Sequence, residues 1–139
     1  MLFRSIAEAL VLQLGREPVW IDDNDRVRYH AALAHASNHL TVVLAQAADL
    51  LSEIGVDQPL MLLAPLVNAA VENTLAAGGA ALTGPVSRGD AATVQAHLIE
   101  LPADLLPSYR ALALAAVELA LRNRQIDSAR ATELRAVIG

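Results

Sequence analysis

The stretch "DDNDRVRYHAALAHASNHLTVVLAQAADLLSEIG", residues 22–55, decides the fold. It opens on acidic residues, runs for about thirty positions without proline or glycine, and stops at Gly55. Asp22 or Asp23 is placed to cap a helix, the carboxylates favour its positive end, and glycine is the usual residue past a helix end. The predicted helix covers 23–54 and, at 1.5 Å per residue, is roughly 45 Å long. That exceeds what a small globular domain needs, so the helix is expected to be a central or interface spine.

The flanking sequence also reads as helices. "SIAEALVLQL" (5–14) carries a capping box, Ser5 with Glu8 three residues on, and Gly15 closes it. Pro59 suits the first turn of a helix to Ala77, with a kink expected at Pro65 and an end at Gly78-Gly79. Asp90 caps a segment to about Glu100, Ser108 the next, and Asp127 or Ser128 the last. Ala and Leu dominate a chain that is 55% apolar, which favours an all-α domain with close helix packing and a covered surface. "EPVWI" (17–21) reads instead as a short extended run. A lone strand cannot satisfy its hydrogen bonds, so its partners are expected upstream. "MLFRS" is expected to be non-native sequence.

Composition excludes several functions. The net charge is −5 and every one of the ten basic residues is arginine, without a basic patch, so nucleic acid is not an expected partner. Without cysteine there is no disulfide, thiolate nucleophile or cysteine-ligated metal, which fits a cytoplasmic protein. The most apolar window, "PLMLLAPLVNAAV" (59–71), is shorter than the about 20 residues of a membrane span, so a buried core helix is expected and no membrane.

Three groups of polar residues could carry chemistry. His30, Ser37 and Thr41 fall within about 40° of one another on the spine helix, with Asn38 beside them. Such a stripe suits a ligand or a neighbouring helix. His35 and His39 have the i, i+4 spacing of two zinc ligands, but no glutamate follows the first and no third ligand is placed nearby, so no metal is expected. Asn68 and Glu72 share a face further on, and Arg88 is a candidate ion-pair partner for Glu72.

The third group is "ALTGPVSRGD", residues 81–90. Gly84-Pro85 forces a turn and Gly89-Asp90 opens a helix. Thr83 and Ser87 add hydroxyls, and Arg88 adds a planar cation suited to carboxylate or phosphate. The turn and cap explain Gly84, Pro85 and Asp90; they do not require Thr83, Ser87 or Arg88.

"YHAALAHASNHL" (29–40) together with "ENTLAAGGAALTGPVSRGDAATVQAHL" (72–98) resembles a bacterial family of domains of unknown function that follow a Rossmann-like NADP-binding domain. That family is similar in fold to the C-terminal helical domains of pyrroline-5-carboxylate reductase, ketopantoate reductase and 6-phosphogluconate dehydrogenase. The resemblance covers about residues 18–138. It implies the substrate-binding and dimerisation half of an NAD(P)-dependent oxidoreductase, reducing a carbonyl or imine of a small carboxylate. Residues 1–22 are then the end of the upstream Rossmann-like domain and 23–139 the helical domain. The nucleotide is bound mainly by the missing part, since no G-x-G-x-x-G occurs here. The fragment alone is expected to be inactive and to form a homodimer. The resemblance makes Ser37, Thr83, Gly84, Pro85, Arg88, Gly89 and Asp90 the substrate-binding set. Asn38 and His30 become the catalytic candidates, His30 as proton donor in place of the lysine that relatives use. The alternative reading is a non-catalytic helical dimerisation or ligand-sensing module.

Overall fold

The computed structural model describes residues 2–139, with side chains from Ile6 onward. The chain is all-helical. The described residues form six α-helices: α1 (Leu2–Gln13), α2 (Arg26–Glu53), α3 (Pro59–Ala77), α4 (Ala91–Glu100), α5 (Leu106–Arg122) and α6 (Ser128–Ile138). Two compact units are present, 1–45 and 46–139, and their boundary falls within the spine helix α2.

The helices form where alanine and leucine predominate and stop where glycine permits a left-handed turn. Gly15 ends α1 at φ 68° and Gly55 ends α2 at φ 88°. Asp90 and Asp127 cap α4 and α6 as expected, accepting from the backbone N–H of Thr93 (3.0 Å) and Arg130 (2.8 Å). Pro59 stands at the start of α3, where its missing N–H costs no hydrogen bond.

Other expected starts shift. Helix α1 begins at Leu2, so Ser5 lies within it and is not its cap; the leucine, phenylalanine and arginine before it continue the helix. What was expected of Met1, and of the side chains of 2–5, lies outside the described residues. Neither Asp22 nor Asp23 caps α2 through its side chain. A 3₁₀ turn over Asp23–Asp25 precedes the helix, and Asp23 and Asp25 pair instead with Arg26 (2.8 Å) and Arg28 (3.3 Å). Ser108 lies within the first turn of α5, which starts at Leu106. Its hydroxyl donates to the Leu105 carbonyl (2.9 Å) and accepts from Gln46 Nε2 (3.1 Å). Residues 17–21 form no strand, and no strand occurs among the described residues. An extended segment becomes a strand only against another.

The core belongs to the second unit. It is built by Val86, Ala91 and Val94, by Ala113, Val117 and Ala120 of α5, and by Ile126, Ala131, Leu134 and Ile138 on and before α6. Helices α4 and α5 both pack on α6. The small residues keep these backbones close, and Leu134 and Ile138 fill the remaining space. Arg110 of α5 donates to the carbonyl of Ile138 and so satisfies an orphan group at the end of α6.

Neither α2 nor α3 has a buried residue. The expectation that 59–71 is a core helix is therefore corrected. Met61 is 71% and Leu66 67% exposed. Among the described residues, the apolar side chains that suggested burial stay largely exposed.

Candidate functional site

The 82–90 loop is a rigid connection between α3 and α4. Its first residue is held by Gln125, whose Nε2 donates to the Leu82 carbonyl at 2.8 Å. Gly84 takes φ 98°, which admits the turn before Pro85. A 3₁₀ turn over Val86–Arg88 then sinks Val86 into the core. Gly89 (φ 68°) is buried, and Arg130 of α6 donates to its carbonyl at 3.2 Å.

Most of the loop's polar groups are occupied internally. The N–H groups of Arg88 and Asp90 both bond to the Pro85 carbonyl (3.2 and 2.9 Å). Those of Gly89 and Ala91 bond to the carbonyls of Val86 and Gly89 (both 3.1 Å). The Ser87 hydroxyl donates to the Gly84 carbonyl at 3.0 Å. The Asp90 carboxylate takes the Thr93 N–H and hydroxyl, the latter at 2.7 Å. The start of α4 thus already carries its own anion. Hydrogen bonds from Thr93 hold the Asp90 carboxyl below its ordinary value of 3.8, with smaller contributions from the positive charge of Arg88 and from His97.

Two side chains of the loop stay outside this network. Thr83 and Arg88 are exposed, and neither makes a side-chain hydrogen bond or ion pair among the described residues. The expected pairing of Arg88 with Glu72 does not form; Glu72 is exposed on α3 and needs no buried counter-charge. Gly84, Pro85, Gly89 and Asp90 act by shaping the loop, and they present Arg88 on it.

His30, Ser37 and Asn38 lie in the first unit, on an exposed stretch of α2. The Ser37 hydroxyl donates back to the Leu33 carbonyl at 2.8 Å, with Asn38 Oδ1 at 3.3 Å, and Thr41 donates to the Ser37 carbonyl at 3.2 Å. Back-bonding of this kind satisfies hydroxyls along a helix without a ligand. His30 is exposed. His35 and His39 are exposed and face one another, their Nδ1 atoms 2.7 Å apart. Among the described residues no group of three or more histidine, cysteine or carboxylate side chains is arranged to hold a metal ion.

A pair absent from the sequence reading lies on α4 and α5. His97 Nδ1 and the Tyr109 hydroxyl are 2.8 Å apart, with their rings edge to face. Twelve residues separate them, so no local spacing announces the contact; Asp90, Thr93 and His97 at i, i+3 and i+7 were the available signal. A cavity of about 440 Å³ also opens in the second unit between the end of α2 and the 102–105 connector. Gln46, Asp49, Glu53 and Asp104 are among its lining residues.

These features describe an all-α protein with a small C-terminal core, an uncovered spine and one braced loop that presents an arginine. The sequence profile of the family described as Domain of unknown function (DUF2520) matches residues 3–116, most of the chain, and the chain belongs to that family. Neither the curated proteins nor the solved structures give a significant match.

Proposed function

We propose that the chain is the substrate-binding and dimerisation domain of an NAD(P)-dependent oxidoreductase of the cytoplasm, acting on the carbonyl or imine of a small carboxylate. In this reading residues 1–22 end a Rossmann-like domain, and the rest has the helical architecture of the 6-phosphogluconate dehydrogenase C-terminal domain. The observation that carries the ligand role is Arg88. The loop is braced at Leu82, Gly84, Val86, Gly89 and Asp90, yet the Arg88 side chain is exposed and makes no hydrogen bond or ion pair among the described residues. A planar cation on a rigid backbone suits a carboxylate, because little freedom is lost on binding. Thr83, also exposed on the loop, is a second candidate donor. The N–H groups of Arg88, Gly89 and Asp90 are occupied within the loop, so Arg88 offers a ligand its side chain and not its backbone. His30 and Asn38 are the proposed catalytic residues.

No residue of this chain is assigned to the nucleotide. The reason is its sequence, which contains no G-x-G-x-x-G stretch. The dimer reading rests on α2 and α3, whose apolar side chains lack cover. By length and composition the 59–88 stretch is apolar enough to cross a membrane. A second copy is the better occupant. Helix α3 ends at Ala77, contains Pro65, and carries Asn68, Glu72 and Asn73, none of which suits hydrocarbon.

The alternative, a non-catalytic dimerisation or sensing module, is favoured by Ser37 and Thr41, whose hydroxyls serve their own helix. Replacing Arg88 by alanine in the intact protein tests the proposal. Substrate binding weakens roughly tenfold or more, as for a charge-assisted hydrogen bond, with little change in melting temperature. Unchanged binding refutes the ligand role. The isolated chain is expected to show no saturable NADPH binding by fluorescence.

A further inference from the structure

We propose that His97, oriented by Tyr109, is a second binding point on the face that presents Arg88, so that the ligand is a small organic anion with two acceptor groups. Its carboxylate meets Arg88 and a second oxygen meets His97 Nε2–H. The inference rests on the reading of Arg88 given above and adds to it a residue and a ligand class.

Placement comes first. Asp90, Thr93 and His97 lie within about 60° on the helical wheel, so one stripe of α4 carries all three. Asp90 and Thr93 satisfy each other along it. The polar groups left over are those at its two ends, Arg88 before the cap and the His97 ring about 10 Å further along the axis. Arg88 stands two residues before the Asp90 cap and His97 seven after it, and both are exposed.

Orientation comes second. An exposed histidine normally samples several rotamers. His97 is exposed, but its Nδ1 is held at 2.8 Å by a phenol packed against the core. Burial raises the Tyr109 hydroxyl above its ordinary value of 10.0, so at neutral pH it keeps its proton. The phenol then donates, and the imidazole Nδ1 accepts. The ring proton is thereby placed on Nε2, the nitrogen left for a ligand. Tyr109 is a positioning residue in this scheme: it sets the tautomer and touches no ligand. A bond serving solely to tie α4 to α5 has no need of an exposed second nitrogen.

The experiment uses the whole chain with succinate as the two-group probe and acetate as the one-group control, followed by NMR titration. Succinate is expected to bind roughly tenfold more tightly than acetate. His97→Ala and Tyr109→Phe are expected to abolish that preference while acetate binding persists; Arg88→Ala is expected to weaken both probes. Imidazole nitrogen shifts at pH 8 are expected to show His97 as the Nε2–H tautomer, and Tyr109→Phe to lose that signature while the protein stays folded. If Arg88→Ala weakens both anions but His97→Ala and Tyr109→Phe leave the succinate preference intact, the second binding point is overturned and the role of Arg88 stands. If Arg88→Ala changes neither, the carboxylate reading fails and this inference falls with it.

Discussion

The Arg130 side chain lies along Gly89. Its Nη1 donates to the Gly89 carbonyl at 3.2 Å, and a Cβ added to Gly89 would stand 3.0 Å from its Cδ. Two constraints therefore meet at one residue: a left-handed backbone, φ 68°, and an occupied space above it. Gly89→Ala is expected to destabilise the protein by about 1–2 kcal/mol from the backbone alone, and further if Arg130 is displaced. Gly84 has a positive φ but open space around it, so Gly84→Ala carries the backbone penalty without the displacement. Chemical denaturation of the two variants checks the order.

Asp90 links the loop to pH. Its hydrogen bonds from Thr93 lower its affinity for protons in the folded state below the ordinary value of 3.8. A depressed carboxyl contributes stability that is present above that value and is lost as pH falls through the folded-state value. Melting temperature is expected to fall on acidification below about pH 4. Asp90→Ala should lower stability at neutral pH and flatten this acid limb. Asp90→Ser, which keeps a capping oxygen, should recover part of the neutral-pH loss. An unchanged acid limb in Asp90→Ala would remove Asp90 from the account.

Much of the fold was legible because its signals are local. The caps at Asp90 and Asp127, Pro59 at a helix start and the stops at Gly15, Gly55 and Gly78 each need only a few neighbouring residues. The caps at Ser5, Asp22 or Asp23, and Ser108 failed because local patterns compete. Good helix formers extend α1 past Ser5, arginines draw Asp23 and Asp25 away from the backbone, and Ser108 serves Gln46 and Leu105 instead. The site was legible where it depends on turn chemistry, as in 84–90. It was not legible where it depends on a contact across the fold. His97 meets Tyr109 because α4 and α5 share the core around Val94 and Ala113, and residue spacing carries no trace of that packing. The apolar run of 59–71 misled for the opposite reason: hydrophobicity states that a surface is to be covered and does not say by what.

Tyr109 sets the opposite pH limit. Burial favours its neutral phenol and raises its proton affinity above the ordinary 10.0. The stability it contributes is fully present below that value and is lost as pH rises through the folded-state one. Unfolding should become easier above about pH 10, with phenolate absorbance appearing as the chain opens. Tyr109→Phe has no phenol to ionise there, and its alkaline limb should be shallower than that of the parent. Equal alkaline limbs would show that other groups govern the range.

The uncovered α2 and α3 give the last prediction, which separates two kinds of apolar residue. Leu134 is fully buried in the α4–α6 core, so Leu134→Ala leaves a cavity and is expected to cost about 2–5 kcal/mol at any protein concentration. Leu66 on α3 is 67% exposed within the chain and has little to lose in a monomer. If a second copy covers it, Leu66→Arg places an unpaired charge in an apolar interface, and the cost appears in association. Sedimentation should show a dimer for the parent at micromolar concentration and for Leu134→Ala while it remains folded, but a monomer for Leu66→Arg. The parent's melting temperature should rise with concentration, because assembly stabilises the folded state by mass action. A monomeric parent would reject the second copy. Partitioning of that monomer into neutral phosphatidylcholine vesicles, lost in Leu66→Arg, would identify lipid as the cover of α3.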